Sequence, residues 1–349
     1  MKKIICIVGA RPQFIKHAPM ELALNKYFEV QTIHTGQHYD EKMSAIFFEE
    51  LKIKKPEYAL HIGSLSASEQ TAKMLIAISD ILQKEKPNAV LVYGDTNSTL
   101  AGALAASQNK IPLIHIEAGL RSFNKEMPEE NNRILTDHLS SLLFCPTNMA
   151  IENLQKEGIT KNVFQSGDVM SDMLQLIFPH LKKATNQSQY YLCTIHRPYN
   201  TDNTNRLFTV LKTLNQLDQK VLFPIHPRTK QRCKDFEIDL LEFPNISFLP
   251  PLSYLELVQL AYNAKSILTD SGGLQKEAYL LKKQCVTIRP ETEWVETLEG
   301  GWNNLVFEEM QKVATILKTT PQRNKYKNNI YGDGNAGLVI AKIIADNIR

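Results

Sequence analysis

Polar residues of the types used in catalysis stand at the ends of short apolar runs in this chain. In the first half they are Gly9-Ala10-Arg11, His34, Gly94-Asp95 and Glu117-Ala118-Gly119. In the second half they are His196-Arg197, His226-Pro227-Arg228 and Asp270-Ser271-Gly272-Gly273. Carboxylates from separate segments that converge supply general acid and base groups; Asp95, Glu117, Glu129 and Glu130 are the candidates. Each also has a plainer use. Asp95 precedes a helical pattern and would cap it. Glu117 has Arg121 as an available ion-pair partner, and Glu129 and Glu130 follow Pro128 in a first helical turn, where carboxylates serve the helix dipole. The segment Asp270-Ser271-Gly272-Gly273 leads into the helical pattern Leu274-Gln275-Lys276-Glu277-Ala278. Glycines let a ligand approach the backbone and a helix N-terminus offers N–H groups to an anion, so a diphosphate is the natural guest. The histidine–arginine groups favour an anionic substrate, although a lone strand-end histidine more often serves the structure. No G-x-G-x-x-G and no G-x-x-x-x-G-K-[ST] occurs. His34-x-x-x-His38 matches no zinc pattern and no cysteine pair joins it, so no metal is expected.

The elements that must position these residues alternate from end to end. Near-continuous apolar runs at Ile4–Val8, Val30–His34, Ala89–Tyr93, Leu113–Ile116 and Leu142–Cys145 read as parallel strands covered on both faces. Helical patterns cover Ser68–Lys84 and Asn97–Gln108, and Pro12 suits a first helical turn. A second series has strands at Tyr191–Ile195, Val221–Ile225, Ile246–Leu249, Ser266–Thr269 and Cys285–Ile288. The polar stretch Lys182–Gln189 reads as a surface connection. Two such series predict two doubly wound α/β domains. If their strand ends face each other, all seven polar sites line one cleft.

Composition narrows the classes. At 349 residues the chain is long enough for about two domains, each with its own core. A net charge of +3 from 40 basic and 37 acidic residues is too balanced for a nucleic-acid groove or a polybasic membrane anchor. No run of about 18 uncharged apolar residues exists to span a bilayer. Cys6, Cys145, Cys193, Cys233 and Cys285 form no C-x-x-C pair and are expected to be reduced and mostly buried. The apolar run after Met1 is too short for a signal-peptide core, which points to the cytoplasm.

The order and spacing of these motifs resemble the non-hydrolysing UDP-N-acetylglucosamine 2-epimerase family across nearly the whole chain. The resemblance rests on Gly9-Ala10-Arg11-Pro12 with Lys16, Thr35-Gly36-Gln37-His38, Gly94-Asp95-Thr96 and His115-Ile116-Glu117-Ala118-Gly119-Leu120-Arg121. It continues through Pro128-Glu129-Glu130-Asn131-Asn132-Arg133, Thr194-Ile195-His196-Arg197, His226-Pro227-Arg228 and Thr269–Ala278. It implies a glycosyltransferase-B architecture of two Rossmann-like domains, with residues 1–168 and the last helix, 336–349, in one and residues 169–335 in the other. It implies reversible inversion at C2 of a UDP-linked 2-acetamido sugar, by anti elimination of UDP to a 2-acetamidoglycal and syn re-addition, with no cofactor. By similarity Asp95, Glu117 and Glu129 are the acid/base residues, and His196 and Arg11 stabilise the departing UDP with Lys16 and Arg133 nearby. His226 joins the substrate site, Ser271, Gly272 and Gly273 hold phosphate oxygens, and Glu277 takes the ribose hydroxyls. In allosteric members a second substrate molecule binds beside residues like Gln37 and His38 and near Gln70. A cytoplasmic homodimer feeding mannosamine-type sugars into surface polysaccharide is the expected setting.

The chain departs from plain GlcNAc enzymes in one segment. Where they carry Thr-Glu-Arg-Pro-Glu, it has Thr292-Glu293-Trp294-Val295-Glu296. This looks like a subgroup that includes epimerases of UDP-2,3-diacetamido-2,3-dideoxyglucuronate. Trp294 would pack either at the sugar end of the site or in the core. A hydrolysing relative, a glycosyltransferase of the same architecture and a non-enzymatic UDP-sugar binder are the other readings.

Overall fold

A computed structural model describes residues 1–37, 54–63, 65–184 and 189–348. The chain divides into two compact units, residues 1–176 with 329–349 and residues 177–328. In the first unit the elements run β1 (Lys2–Val8), α1 (Arg11–Leu24), β2 (Phe28–His34), β3 (Tyr58–Ala59), α2 (Ala67–Glu85), β4 (Ala89–Tyr93) and α3 (Asn97–Gln108). They continue with β5 (Leu113–Ile116), α4 (Pro128–Leu139), β6 (Leu142–Cys145), α5 (Asn148–Lys156), β7 (Val163–Gln165) and α6 (Val169–Ile177). The sheet order is β3-β2-β1-β4-β5-β6-β7, and every pairing is parallel.

The second unit holds β8 (Tyr190–Thr194), α7 (Pro198–Thr201), α8 (Thr204–Asn215), β9 (Lys220–Pro224), α9 (Pro227–Asp235), β10 (Ile246–Leu249) and α10 (Tyr254–Asn263). It closes with β11 (Ser266–Thr269), α11 (Gly272–Leu280), β12 (Gln284–Thr287), β13 (Asn303–Leu305) and α12 (Lys312–Lys318). Its sheet runs β10-β9-β8-β11-β12-β13, again all parallel. Both units are thus the Rossmann-like, doubly wound sheets that the alternating runs predict. The order of each sheet reverses at its first strand, between β1 and β4 and between β8 and β11. Ligands of such sheets bind beyond the strand carboxyl ends at that reversal.

The cores explain the runs. Ile5, Ile7, Val90, Val92 and Leu113 of the first sheet pack with Met74, Ile78 and Leu82 of α2 and the alanines of α3. In the second, Tyr191, Cys193, Val221, Phe223, Leu268 and Val286 pack with Leu207, Val210, Leu211 and Leu214 of α8. All five cysteines are buried and unpaired. Strands β3, β7 and β13 escaped the sequence reading because they are two- or three-residue edge strands without an apolar run. No helix among the described residues is long and apolar enough to cross a membrane.

The last helix, α13 (Ala336–Asn347), packs against α1 in the first unit. Asp172 of α6 ties it there, accepting the N–H groups of Ala336 at 3.0 Å and Gly337 at 2.7 Å. This tie keeps α6 with the first unit, so the division falls beyond Asp168, and ahead of Ala336 on the return. Burial pushes the Asp172 carboxyl up to about 6, against the two N–H bonds that lower it. A folded-state value above the unfolded 3.8 makes this group's contribution greatest below that value and lost as pH rises through about 6. Relative to Asp172→Asn, the wild type therefore loses stability on going from about pH 4 to about pH 7, which urea unfolding at the two pH values measures.

Candidate active site

In the first unit the site grows from the ends of β1, β4 and β5. Gln13 in the first turn of α1 fixes the loop after β1, accepting from Gly9 N–H at 2.8 Å and Ala10 N–H at 3.1 Å. Its amide donates in turn to the Tyr93 carbonyl of β4 at 2.9 Å. Arg11 therefore opens α1 at a defined point, and Lys16 lies further along the same helix. The Lys16 ammonium forms an ion pair with Glu117. It also lies over Gly94, where an added Cβ would sit 3.3 Å from it.

Glu117 follows β5 with φ of 72°, a left-handed conformation that costs a non-glycine residue energy. Its own N–H and that of Ala118 both bond to the Phe144 carbonyl, at 3.1 and 3.0 Å, which holds the turn. Arg121, the partner expected for Glu117, instead pairs with Asp137 at 2.7 Å and Glu157 at 2.7 Å. The ammonium of Lys16, from a helix a hundred residues earlier, takes its place.

Asp95 does not cap α3. Thr96 does, accepting the Thr99 N–H. That leaves the Asp95 carboxylate for Arg133 of α4, with which it pairs, while its backbone carbonyl accepts from Asn132 at 3.0 Å. Burial raises the Asp95 carboxyl above the ordinary range. Arg133 and Lys16 oppose this, and the neighbouring Glu129 and Glu117 charges add to it. The fold thus brings Asp95, Glu117, Glu129, Lys16 and Arg133 into one electrostatic neighbourhood.

Two adjacent glutamates of α4 separate in role. Glu130, 1% exposed, accepts from Ser122 N–H (2.9 Å), Ser122 hydroxyl (3.0 Å) and Phe123 N–H (2.8 Å), and faces Arg133 at 3.3 Å. It clamps the loop ahead of α4, and Glu129 is the one whose charge reaches Asp95.

Gln37 and Gln70 also come together. The Gln37 amide oxygen accepts from Ser98 N–H at 2.9 Å, its carbonyl accepts from Gln70 at 3.3 Å, and Gln70 accepts from Asn97 at 3.0 Å. His38 lies outside the described residues.

In the second unit Asp270, at the end of β11, organises the loop after β8. Its carboxylate accepts from His196 N–H at 3.0 Å, Arg197 N–H at 2.8 Å and the Asn200 amide at 3.1 Å. The His196 ring faces the same carboxylate at 3.3 Å and the His226 ring at 5.6 Å between centroids. Arg228, in contrast, is taken up by Asp202 at 2.6 Å. Ser271 caps α11, and Gly272 and Gly273 form its first turn. A Cβ on Gly272 would lie 2.7 Å from Glu293, whereas one on Gly273 would meet only the Ser271 hydroxyl at 3.9 Å. Glu277 follows one turn later and is buried.

Arg289, beyond the end of β12, was assigned no role by the sequence. It is 1% exposed and pairs with Glu293 at 2.9 Å, and its Nε and Nη1 have no hydrogen-bond partner among the described residues. Its Nη1 would lie 3.7 Å from a Cβ on Gly272, beside the first turn of α11. Its only sequence signal was its place at a strand end. Trp294 is a core residue, 2% exposed, with the Lys276 ammonium 4.0 Å over its ring.

The family model described as UDP-N-acetylglucosamine 2-epimerase matches residues 20–345. A UDP-N-acetylglucosamine 2-epimerase homolog of Methanococcus maripaludis is 47% identical, over 98% of this chain and 99% of that one. A UDP-2,3-diacetamido-2,3-dideoxy-D-glucuronate 2-epimerase of Pseudomonas aeruginosa is 44% identical, over 98% and 99%. The crystal structure of the Methanocaldococcus jannaschii UDP-GlcNAc 2-epimerase with UDP-GlcNAc and UDP superposes with a TM-score of 0.93 at 43% identity, covering 99% of this chain and 100% of that one. With carboxylates at the first switch point and a glycine-led helix N-terminus at the second, the chain belongs to the UDP-N-acetylglucosamine 2-epimerase family.

Proposed function

We propose that this protein interconverts UDP-N-acetylglucosamine and UDP-N-acetylmannosamine by inverting C2. One carboxylate removes the C2 proton as the C1–O bond breaks. The electron pair of the C–H bond becomes the C1=C2 double bond of a 2-acetamidoglycal, and UDP leaves with the C1–O pair. Return of a proton to the opposite face of C2 and of UDP to C1 completes the inversion. The observation that carries this reading is the grouping of Asp95, Glu117 and Glu129 with Lys16 and Arg133 in the first unit. Burial raises the Asp95 carboxyl from its ordinary value while the neighbouring carboxylates add to it, an arrangement from which acid and base roles can be divided. In the second unit His196 stabilises charge on the leaving group, His226 joins the substrate site, Ser271, Gly272 and Gly273 hold phosphate and Glu277 holds the ribose; Arg11 of the first unit is assigned the same charge-stabilising role as His196.

The 44% identity to the diacetamidoglucuronate enzyme supports a second substrate reading. NMR of the protein in deuterated water, with UDP-GlcNAc and its 2,3-diacetamido-uronate analogue side by side, decides between them. Interconversion with C2 deuteration of UDP-GlcNAc is the expected result, and accumulation of free sugar and UDP would instead indicate a hydrolase. Gly273→Ala gives an independent check. A methyl group there has room in the protein, so stability holds or rises by about 0.4–1 kcal/mol. UDP affinity falls by about tenfold because the backbone is where the phosphate must approach. Unchanged UDP affinity, measured by calorimetry, would remove Gly273 from the phosphate site.

The proposal extends to the setting. Five unpaired cysteines suit a reducing cytoplasm, and the exposed Ile76 and Leu135 of the first unit suit a homodimer. Gln37, Gln70 and His38 are proposed as an effector site for a second substrate molecule.

A further inference from the structure

Next to the carboxylate cluster runs a buried polar chain that the elimination itself does not use. His115 of β5 is 0% exposed. Its Nδ1 lies 2.7 Å from Asp137 Oδ1, and its Nε2 lies 2.7 Å from the Gly94 carbonyl oxygen. The other oxygen of Asp137 accepts the Gly119 N–H at 3.1 Å and the Arg121 guanidinium at 2.7 Å. Arg121 also donates to its neighbour's carbonyl, Leu120, at 2.6 Å, and to both oxygens of Glu157 at 2.7 Å.

The donor roles follow from chemistry. A backbone carbonyl has no proton to give. Burial pushes the Asp137 carboxyl up, but His115 and Arg121 together outweigh it and hold the group ionised, below its usual value. The Nε2–H therefore donates to the Gly94 carbonyl, and Nδ1 shares the second hydrogen bond with the Asp137 carboxylate.

The two backbone groups at the ends of this chain are informative. Gly94 immediately precedes Asp95, and Gly119 lies two residues after Glu117. Gly94, Glu117 and Gly119 all have positive φ, at 60°, 72° and 79°. Glycine takes positive φ freely, so the strained member is Glu117, whose conformation persists only where its surroundings over-determine it; the His115–Asp137 pair reaches the turns at Gly94 and Gly119 at once. We propose that His115, acting with Asp137, is a positioning residue that sets the Gly94-Asp95 turn against the Glu117–Gly119 turn, and so sets the separation of two proton-transfer groups. The assignment of those groups rests on the epimerase reading above.

The test separates bridging from mere filling. In His115→Asn the side-chain amide takes the place of Nδ1, keeping the donor to Asp137 and losing the one to Gly94. In His115→Gln it takes the place of Nε2 and keeps the Gly94 bond. A misplacement of about 1 Å costs about 10²-fold. Each variant cuts the bridge at one end, so the expected result is a kcat for C2 deuterium exchange about 100-fold below wild type in both, with KM and UDP affinity unchanged. A kcat within about tenfold of wild type in either variant, or UDP affinity falling in step with kcat, overturns the proposal. Protein labelled with ¹⁵N at histidine, with the His115 ring assigned by its loss in His115→Gln, gives a second readout: a solvent-protected Nε2–H on that ring is expected, and an Nε2 without a proton overturns the bridge. A wild type that exchanges C2 hydrogen in neither sugar nucleotide sinks the epimerase reading instead, and the ring spectrum still decides whether His115 joins the two turns.

Discussion

Asp95→Asn lowers the rate of C2 deuterium exchange by about 10³-fold while UDP binds as in the wild type. Asp95 joins the end of β4 to α3, yet Thr96 takes over the capping duty and leaves the carboxylate for chemistry. Twenty-nine per cent of the side chain still reaches solvent, so a ligand can reach it, and Arg133 holds it in one orientation. Desolvation raises its pKa, with further increments from Glu129 and Glu117. A base with a raised pKa is lost on acidification sooner than an ordinary aspartate would be, so the acid limb of the kcat profile is displaced to higher pH than an ordinary aspartate would give. Arg133 lowers that pKa, and Arg133→Met therefore moves the acid limb to higher pH. Normal exchange by Asp95→Asn would remove Asp95 from proton transfer, and an unmoved limb in Arg133→Met would remove the ion pair from its control.

Asp270→Asn destabilises the second unit by about 3 kcal/mol. The carboxylate is fully buried and accepts two backbone N–H groups and one side-chain amide while facing the His196 ring. An amide has the same shape but turns one acceptor oxygen into a donor, which must then oppose another donor. Both tryptophans of the chain, Trp294 and Trp302, belong to this unit, so urea unfolding followed by their fluorescence reports on it directly. The same substitution releases the backbone of His196 and Arg197, and UDP affinity falls with it. An Asn variant that unfolds at the wild-type urea concentration would show that the three hydrogen bonds do not organise this loop.

Much of the scaffold was legible because it depends on short-range physics. The runs Ala89–Tyr93, Leu113–Ile116, Leu142–Cys145, Ile246–Leu249 and Ser266–Thr269 are strands with those bounds, since a parallel strand covered on both faces must be apolar throughout. The helix Asn97–Gln108 and the proline in the first turn of α1 were equally local. The edge strands carried no such run. The partners of the polar residues were less legible still. Arg121 is four residues from Glu117, but Asp137 and Glu157 claim it, and Lys16 of α1 answers Glu117. Glu129 and Glu130 are neighbours of one type, and only the loop at Ser122 and Phe123 tells the clamp from the carboxylate that faces Asp95.

The sequence by itself therefore determined which apolar runs are strands, which polar residues end them and, through motif order, the family. Periodicity and residue type are properties of the chain read in order. Only the tertiary structure decided the strand orders that put β1 beside β4 and β8 beside β11, which make switch points of the turns at Ala10, Asp95, His196 and Ser271. It also decided the ion pairs Lys16–Glu117 and Arg133–Asp95 and the His115–Asp137 bridge. Those choices turn on which charges are desolvated together, and that is set by distance in space between residues 20 to 100 positions apart in the chain.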